Sequence, residues 1–129
     1  MANRKPYSLS KAERLSWKRQ IDLLFEQGQS FVAFPLRVVY LLIDESREAA
    51  ASILVSVSKK KIKKAVRRNY IKRQVREAYR LRKGPLTEAL TEKNKALHLA
   101  FLYLDKETHP FADMEKAMEK AIKILRNKA

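Results

Sequence analysis

The spacing of apolar residues along the chain predicts where its helices lie. A capping box from Ser10 to Glu13 is expected to open a first helix that stops at Gly28. The apolar stripe of this helix consists of Trp17, Ile21, Leu24 and Phe25. A last helix is expected to begin after Pro110, with an inward stripe that consists of Phe111, Met114, Met118, Ala121, Ile122 and Leu125. Both stripes predict that each helix packs one face on a core.

Shorter apolar runs predict four strands. Residues 31–34 are expected to form an edge strand ended by Pro35, and the strongly apolar residues 97–104 a central strand. Residues 36–44 and 51–58, joined by a polar segment, are expected to form an antiparallel pair. In the second run, Ile53, Val55 and Val57 form an apolar face. The alternating residues Ser52, Leu54, Ser56 and Ser58 form the other face, which is small and polar. The order α-β-β-β-α-β-α indicates a mixed sheet with helices packed on it, an α+β sandwich.

The segment of residues 59–83 has a helical period and concentrates the positive charge. It holds 13 of the 29 Lys and Arg residues of a chain with net charge +15, and its only acid is Glu77. A strong stop signal follows at Gly84-Pro85. The apolar side of this helix consists of Ile71, Val75 and Ala78, with Tyr79 at its edge. The opposite side consists of Asn69, Lys72, Arg73, Arg76, Arg80 and Lys83.

A charged helix face is usually no more than a solvated surface, but such a face interleaves acids with bases at i, i+4. Here like charges lie three and four residues apart and repel one another. Arg guanidinium groups match the geometry of phosphates, and successive side chains on one face can follow a nucleic-acid backbone. The pattern therefore favours binding to nucleic acid over mere solvation.

Composition limits the remaining possibilities. With 129 residues, 46% of them apolar, the chain is expected to form one domain, residues 1–129, in which residues 1–8 are loosely held. It has no Cys and therefore no disulfide or thiolate chemistry. No apolar run reaches the roughly 18 residues of a membrane span, and residues 1–20 lack the apolar core of a signal peptide. A cytoplasmic protein with no membrane partner is predicted.

The sequence predicts no autonomous catalytic site. His98 is expected on a strand face and His109 in a loop, neither with an acidic or Cys partner at metal-ligand spacing. The acids are scattered, with no pair that suggests general acid–base catalysis. With only two glycines, Gly28 and Gly84, a Gly-rich phosphate loop is not possible.

The basic helix also contains two short motifs, Arg68-Asn69-Tyr70-Ile71-Lys72-Arg73 and Arg76-Glu77-Ala78-Tyr79. Upstream of it stand Ser56-Val57-Ser58-Lys59-Lys60, Lys64-Ala65-Val66, Arg14-Leu15, and Phe25, Gly28 and Ser30. Together these residues resemble the bacterial ribonuclease P protein subunits over most of residues 9–82, and the first motif resembles their RNR signature. Two departures stand out: Tyr70 replaces the second Arg of the signature, and the loop Lys61-Ile62-Lys63-Lys64 lacks the usual glycine.

The resemblance implies both a fold and a function. The fold is a two-layer α+β sandwich with a mixed four-stranded sheet and three helices, ribosomal protein S5 domain 2-like, with a left-handed βαβ crossover against the usual right-handed rule. The function is that of a holoenzyme subunit of ribonuclease P, an endonuclease that hydrolyses the phosphodiester at the 5′ end of mature tRNA. The catalytic partner is an RNA, and Mg²⁺ is expected to be bound mostly by that RNA.

Two sets of site residues follow from the resemblance. The set expected to bind the catalytic RNA consists of Lys59, Lys60, Lys63, Lys64, Arg67, Arg68, Asn69, Lys72, Arg73, Arg76 and Arg80. The set expected to form a cleft for the single-stranded 5′ leader of precursor tRNA, between the first helix and the open sheet face, consists of Trp17, Ile21, Phe25, Tyr40, Ser56 and Ser58. Aromatic side chains stack unpaired bases without demanding a sequence. Trp17, Phe25, Phe31 and Tyr40 are also core candidates, and at least two of them are expected in the core.

The residues alone leave three other classes open. A ribosomal or ribosome-assembly protein would be equally small and basic, without a leader cleft. A DNA-binding module would place the basic helix in a major groove, although no helix closely precedes it to complete a helix-turn-helix. A membrane-surface helix is the weakest alternative, because the Ile/Val/Ala stripe lacks deeply inserting side chains.

Overall fold

The computed structural model describes residues 11–15, 17–45 and 47–129. Its elements are a 3-10 turn (Lys11–Glu13), α1 (Lys18–Gln27), β1 (Gln29–Ala33), β2 (Leu36–Ile43), β3 (Ala51–Ser56), α2 (Ala65–Arg82), α3 (Gly84–Glu92), β4 (Ala96–Tyr103) and α4 (Phe111–Lys128). The described residues therefore hold four α-helices, one more than the expected three. The additional helix, α3, forms because Leu86 and Leu90, one turn apart, are both fully buried.

The four strands form one mixed sheet in the order β1-β2-β4-β3. β2 is antiparallel to β1 and to β4, whereas β3 is parallel to β4. The expected antiparallel pairing of β2 with β3 is therefore wrong, because β4 lies between them. β4 is apolar on both faces and is buried by taking the central position, as its sequence predicted. The left hand of the crossover from β3 to β4 stays a prediction.

One face of the sheet carries the main core. α2 covers it with Ile71, Val75, Ala78 and Tyr79, which are fully buried, as the apolar stripe predicted. α4 adds its predicted stripe from Met114 to Leu125, and the strands contribute Val38, Ile53, Val55, Leu99 and Phe101 among others. Burial of an Ile or Val side chain stabilises the fold by roughly 1.5–3 kcal/mol. This stripe therefore fixes α2 on the sheet and determines which of its side chains point outward.

The opposite face of the sheet is only partly covered, by α1. Leu24 packs there with Leu15, Val39 and Ala100. α1 ends where predicted, at Gly28, since a Cβ at that position would lie 2.3 Å from the carbonyl oxygen of Leu24 and 2.9 Å from that of Tyr40. The chain must pass this close to β2 to turn into β1.

The start of α1 differs from the prediction. The helix begins at Lys18, and the residues before it run beside β3: Arg14 pairs with Ile53, and the Leu15 N–H donates to the Ile53 carbonyl at 2.7 Å. Backbone hydrogen bonds to the edge of the sheet thus replace the first turns of the expected helix. The expected capping box begins at Ser10, which lies outside the described residues. No helix in the described part of the chain is long and apolar enough to cross a membrane.

Candidate nucleic-acid interface

The outer side of α2 forms a basic face, defined here as Arg67, Asn69, Lys72, Arg73 and Arg76. All of these are exposed except Lys72, which is half-buried. The lysine loop, residues 59–64, precedes the helix and exposes Lys59, Lys60, Lys63 and Lys64. α2 has no side-chain cap and no acid in its first turn. The helix thus directs a row of cations to solvent from a backbone that the core holds in place.

Three of the basic side chains near the end of α2 are paired with acids. Arg80 binds Glu77 through two hydrogen bonds, Nε to Oε1 at 3.0 Å and Nη2 to Oε2 at 2.5 Å. The hydrogen bond from Arg80 lowers the pKa of the Glu77 carboxyl. Arg82 lies 3.3 Å from Glu115 of α4, and Lys83 lies 2.6 Å from Glu13. Lys83 was expected on the outward row of cations and is instead largely buried, so the basic face is shorter than the sequence predicted.

The side chain of Arg68 forms hydrogen bonds with the lysine loop and is not part of the outward row of cations. Its Nη1 donates to the carbonyls of Ile62 and Lys63 at 3.0 and 2.8 Å, and Ile62 is fully buried beneath the loop. Lys61 Nζ donates to the Leu104 carbonyl at 2.7 Å. Only Asn94 among the described non-glycine residues has a positive φ, so the backbone of this loop does not need the glycine that it lacks. Arg68, expected to bind RNA, therefore positions the lysine loop.

A second surface lies on the sheet face that carries α1. Trp17 and Phe25 are 73% and 46% exposed at the two ends of α1, and Ile21 between them is half-buried. On the same face β3 presents the half-buried Leu54, and Ser56 and the following Ser58 are exposed. We call this surface the α1 groove. Five of the six predicted leader residues, Trp17, Ile21, Phe25, Ser56 and Ser58, belong to this side of the sheet, with Trp17 near the start of β3 and the two serines at and beyond its end.

The sixth, Tyr40, lies on the other face of the sheet, and its assignment to the cleft is wrong. Its side chain is 8% exposed within the main core, its ring centroid lies 5.9 Å from that of Phe31, and its hydroxyl donates to Gln29 Oε1 at 2.9 Å. The α1 side is taken by its neighbour Val39. Tyr40 and the half-buried Phe31 thus belong to the core, whereas Trp17 and Phe25 do not.

Sequence reasoning missed several polar residues at one end of the α1 groove. A cavity of about 480 Å³ lies there, and its lining includes Lys11, Arg14, Trp17, Arg47 and His98. His98 is buried and its Nδ1 has no hydrogen-bond partner among the described residues. Burial, followed by the charge of Arg47, lowers the pKa of this imidazole. No periodic pattern in the sequence connects these residues, since they come from three separate segments.

His109 does have acidic partners, contrary to expectation. Its Nε2 lies 2.6 Å from Asp105 Oδ2 and its Nδ1 3.3 Å from Asp113 Oδ2, four residues away on either side. The hydrogen bond to Asp105 is the main reason that the pKa of His109 is raised. The described residues nevertheless contain no group of three or more His, Asp or Glu side chains that could hold a metal ion. Outside this histidine cluster, the described surface presents exposed cations on α2 and the lysine loop and exposed aromatic side chains at α1.

Comparison with known proteins agrees with this geometry. The model of the Ribonuclease P family matches residues 9–126. The ribonuclease P protein component of Porphyromonas gingivalis is 46% identical over 116 residues, which cover 90% of this chain and 85% of the relative. The corresponding protein of Chlorobaculum tepidum is 34% identical over 110 residues, 80% of this chain and 71% of the relative.

Solved structures of such proteins share the fold. The Staphylococcus aureus RNase P protein at 2.0 Å matches with a TM-score of 0.67 at 22% identity, over 88% of this chain and 95% of that one. The Thermotoga maritima RNase P protein matches with a TM-score of 0.64 at 26% identity, over 89% and 96%. With a family model that spans nearly the whole chain, a relative at 46% identity and the same α+β fold, the chain belongs to the ribonuclease P protein component family.

Proposed function

We propose that the chain is the protein subunit of ribonuclease P, which binds the catalytic RNA and the 5′ leader of precursor tRNA. The observation that carries this proposal is the basic face of α2. Lys72 and Arg73 stand four and three residues before Arg76 with no acid between them, so these cations repel one another in the free protein. Binding of a polyanion relieves that repulsion and releases counterions.

The catalytic RNA is the proposed partner of the basic face and the lysine loop. Arg73 and Arg76 are exposed one turn apart on a helix that is fixed to the core, so both guanidinium groups can reach phosphates of one backbone segment. The lysine loop, held by Arg68 and the buried Ile62, extends the positive surface toward the end of β3. This arrangement favours a structured RNA with closely spaced phosphates. It does not favour a DNA helix-turn-helix, since β3 and the lysine loop, not a helix, precede α2.

The α1 groove is the proposed site of the leader. Trp17 and Phe25 offer exposed ring faces on which unpaired bases can stack, and the hydroxyl groups of Ser56 and Ser58 can donate to phosphates or bases. The groove lies on the opposite side of the sheet from α2 and α4, and Ser58 of the groove directly precedes Lys59 of the lysine loop. One protein could therefore hold its RNA partner and the leader at the same time.

Hydrolysis of the phosphodiester is assigned in this proposal to the catalytic RNA. Mg²⁺, when bound, supplies Lewis-acid stabilisation of the phosphate charge, and the described residues offer no cluster to hold it. The side chains of this chain bind and orient: Arg and Lys groups neutralise phosphates, and aromatic groups hold the leader away from bulk solvent.

Sequencing of the RNA that co-purifies with the tagged protein from its own host tests the proposal. One abundant structured RNA together with leader-bearing tRNAs is the expected result. The matched control is the Arg73→Ala, Arg76→Ala double variant, which keeps the core and should lose most of that RNA. Recovery of ribosomal RNA alone would instead support a ribosome-assembly protein and contradict the proposal.

A further inference from the structure

A cleft of about 390 Å³ opens on α2 next to the basic face. It is lined by Tyr70, Arg73, Gln74 and Glu77 of α2 and by Phe111 at the start of α4. None of these residues except Arg73 was predicted to bind RNA. The cleft combines two aromatic side chains, one cation and two groups that accept hydrogen bonds, a set that suits a nucleobase with its phosphate.

Tyr70 is an unusual residue for the most cationic helix of the chain. Its side chain is 51% exposed, and Val66, one turn earlier, is exposed as well. Neither is part of the core, and the two lie one turn apart among exposed cations. Tyr70 also occupies the position at which the resembling RNR signature has its second Arg. An Arg side chain that would bind phosphate is thus replaced by the Tyr70 side chain, whose ring can stack on a base.

Gln74, at the floor of the cleft, provides an independent observation. Its side chain is more than nine-tenths buried, and its Nε2 donates to the His109 carbonyl at 3.2 Å and to the Tyr70 hydroxyl at 3.4 Å. Its Oε1 is enclosed and has no hydrogen-bond partner among the described residues. Buried amide oxygens normally accept a hydrogen bond. An N–H donor on the edge of a base would satisfy this oxygen once Tyr70 or Gln74 changes rotamer, as interface side chains commonly do.

We propose that this cleft binds one unpaired nucleobase of the catalytic RNA. The base stacks on Tyr70, an amino or ring N–H group donates to Gln74 Oε1, and Arg73 binds the adjoining phosphate. The inference rests on the proposed function, because it presumes that the basic face contacts that RNA. It adds a base-reading element to a surface that would otherwise recognise only phosphates.

Titration of the catalytic RNA with four forms of the protein, at several salt concentrations, tests the proposal. The forms are the wild type, Tyr70→Ala, Tyr70→Phe and, as the matched control, Leu81→Ala, which removes another exposed apolar side chain of α2 outside the cleft. Tyr70→Ala should raise Kd by about 5- to 150-fold, the range that corresponds to replacing an aromatic side chain under a stacked base with alanine. The slope of log Kd against log salt should not change, because no phosphate contact is lost. Tyr70→Phe and Leu81→Ala should bind like the wild type.

Chemical probing of the bases in the complex of the protein with the catalytic RNA and precursor tRNA gives a second measurement. One base should be protected by the wild type and by Tyr70→Phe, and should become reactive with Tyr70→Ala. An unchanged Kd and an unchanged protection pattern for Tyr70→Ala would overturn the inference, as would a lost protection that maps to precursor tRNA instead. If the Arg73→Ala, Arg76→Ala variant still weakens binding in that case, the proposed function stands without the cleft. If that variant binds normally as well, the basic face is not the RNA interface, and the proposed function loses the observation that carries it.

Discussion

The ammonium group of Lys83 lies 2.6 Å from a carboxylate oxygen of Glu13, and the two side chains are only 12% and 14% exposed. Lys83 directly follows α2, and Glu13 ends the 3-10 turn that leads along β3 into α1. The pair therefore ties the helix of the basic face to the segment that positions the α1 groove. A mobile connection would let the two proposed RNA surfaces move independently.

Glu13→Gln should destabilise the protein, because it removes the charge opposite a largely buried ammonium group. Breaking a fully buried pair costs about 3–5 kcal/mol, and we expect roughly 1–3 kcal/mol here because both side chains keep some contact with water. Urea unfolding measures the change. The double variant Glu13→Leu, Lys83→Met is the control and should recover part of the loss, since no charge is then buried. Equal stability of the wild type and Glu13→Gln would show that the pair does not stabilise the fold.

The two sides of α2 should respond in opposite ways to substitution. Arg73→Ala combined with Arg76→Ala should leave thermal stability unchanged or slightly higher, because like charges are removed. Binding to the catalytic RNA should weaken by roughly 1.5–3 kcal/mol for each lost charge-assisted contact. Val75→Asp should instead unfold the protein, because it places a charge in the core. Unfolding curves alongside RNA titrations separate the two effects, and full RNA affinity in the double Arg variant would place the interface elsewhere.

Salt should weaken the RNA complex steeply. If the basic face and the lysine loop together neutralise about six to ten phosphates, affinity should fall roughly 10³- to 10⁵-fold between 50 and 200 mM salt. Arg80, paired with Glu77, should contribute little, so Arg80→Gln should change the slope less than Arg76→Gln does. A flat response of affinity to salt would exclude the basic face as the main contact.

The sequence predicted those parts of the fold that depend on local periodicity. The stripe of Ile71, Val75 and Ala78 determined which side of α2 is buried, and that side is fully enclosed. Strand pairing could not be predicted in the same way, since the partners of β3 depend on a crossover of nearly forty residues. The apolar pattern of β4 indicated a central strand, but did not say which strands would flank it.

Site residues could be predicted where apolar and polar positions alternate along an element, and not where nearly every position is apolar. Residues 36–43 are apolar at almost every position, so no alternation shows whether Val39 or Tyr40 faces α1. The structure assigns Val39 to that face. Likewise, Arg82 and Lys83 form ion pairs with residues that are distant in sequence. A helical pattern cannot show such pairs, and it therefore placed Lys83 wrongly among the outward cations.

Trp17 and Phe25 are exposed and can contact the leader, whereas Tyr40 is buried and is expected to stabilise the core. Phe25→Ala or Trp17→Ala should each weaken precursor tRNA binding by roughly 1–3 kcal/mol if a base stacks there. Mature tRNA lacks the leader, so its affinity should hardly change. Tyr40→Ala should instead cost about 3–5 kcal/mol of stability, as other buried aromatic truncations do, and should affect both tRNA forms alike. Affinities for the two tRNAs, with a melting curve for each variant, decide between these roles. A Phe25→Ala variant with an unchanged precursor-to-mature ratio would remove Phe25 from the groove.

The two histidines should contribute to stability with opposite pH dependence. The pKa of His109 is raised, mainly by its hydrogen bond to Asp105, so its contribution is fully present below the unfolded-state pKa of about 6.5 and is lost as the pH rises through the folded-state pKa. The pKa of His98 is lowered, mainly by burial. Its contribution is therefore present above about pH 6.5 and is lost as the pH falls toward its folded-state pKa.

His109→Gln should therefore reduce the free energy of unfolding more at about pH 5.5 than at about pH 8.5, because only the protonated imidazole gains from the two carboxylates. Asp105→Asn should produce the same pH-dependent loss, since it removes the stronger of the two hydrogen bonds. His98→Gln is the control, and its difference from the wild type should change in the opposite direction over the same range. Urea unfolding of all four proteins across this range provides the comparison. If the loss in His109→Gln is constant or grows with pH, the ion pair with Asp105 does not stabilise the folded protein.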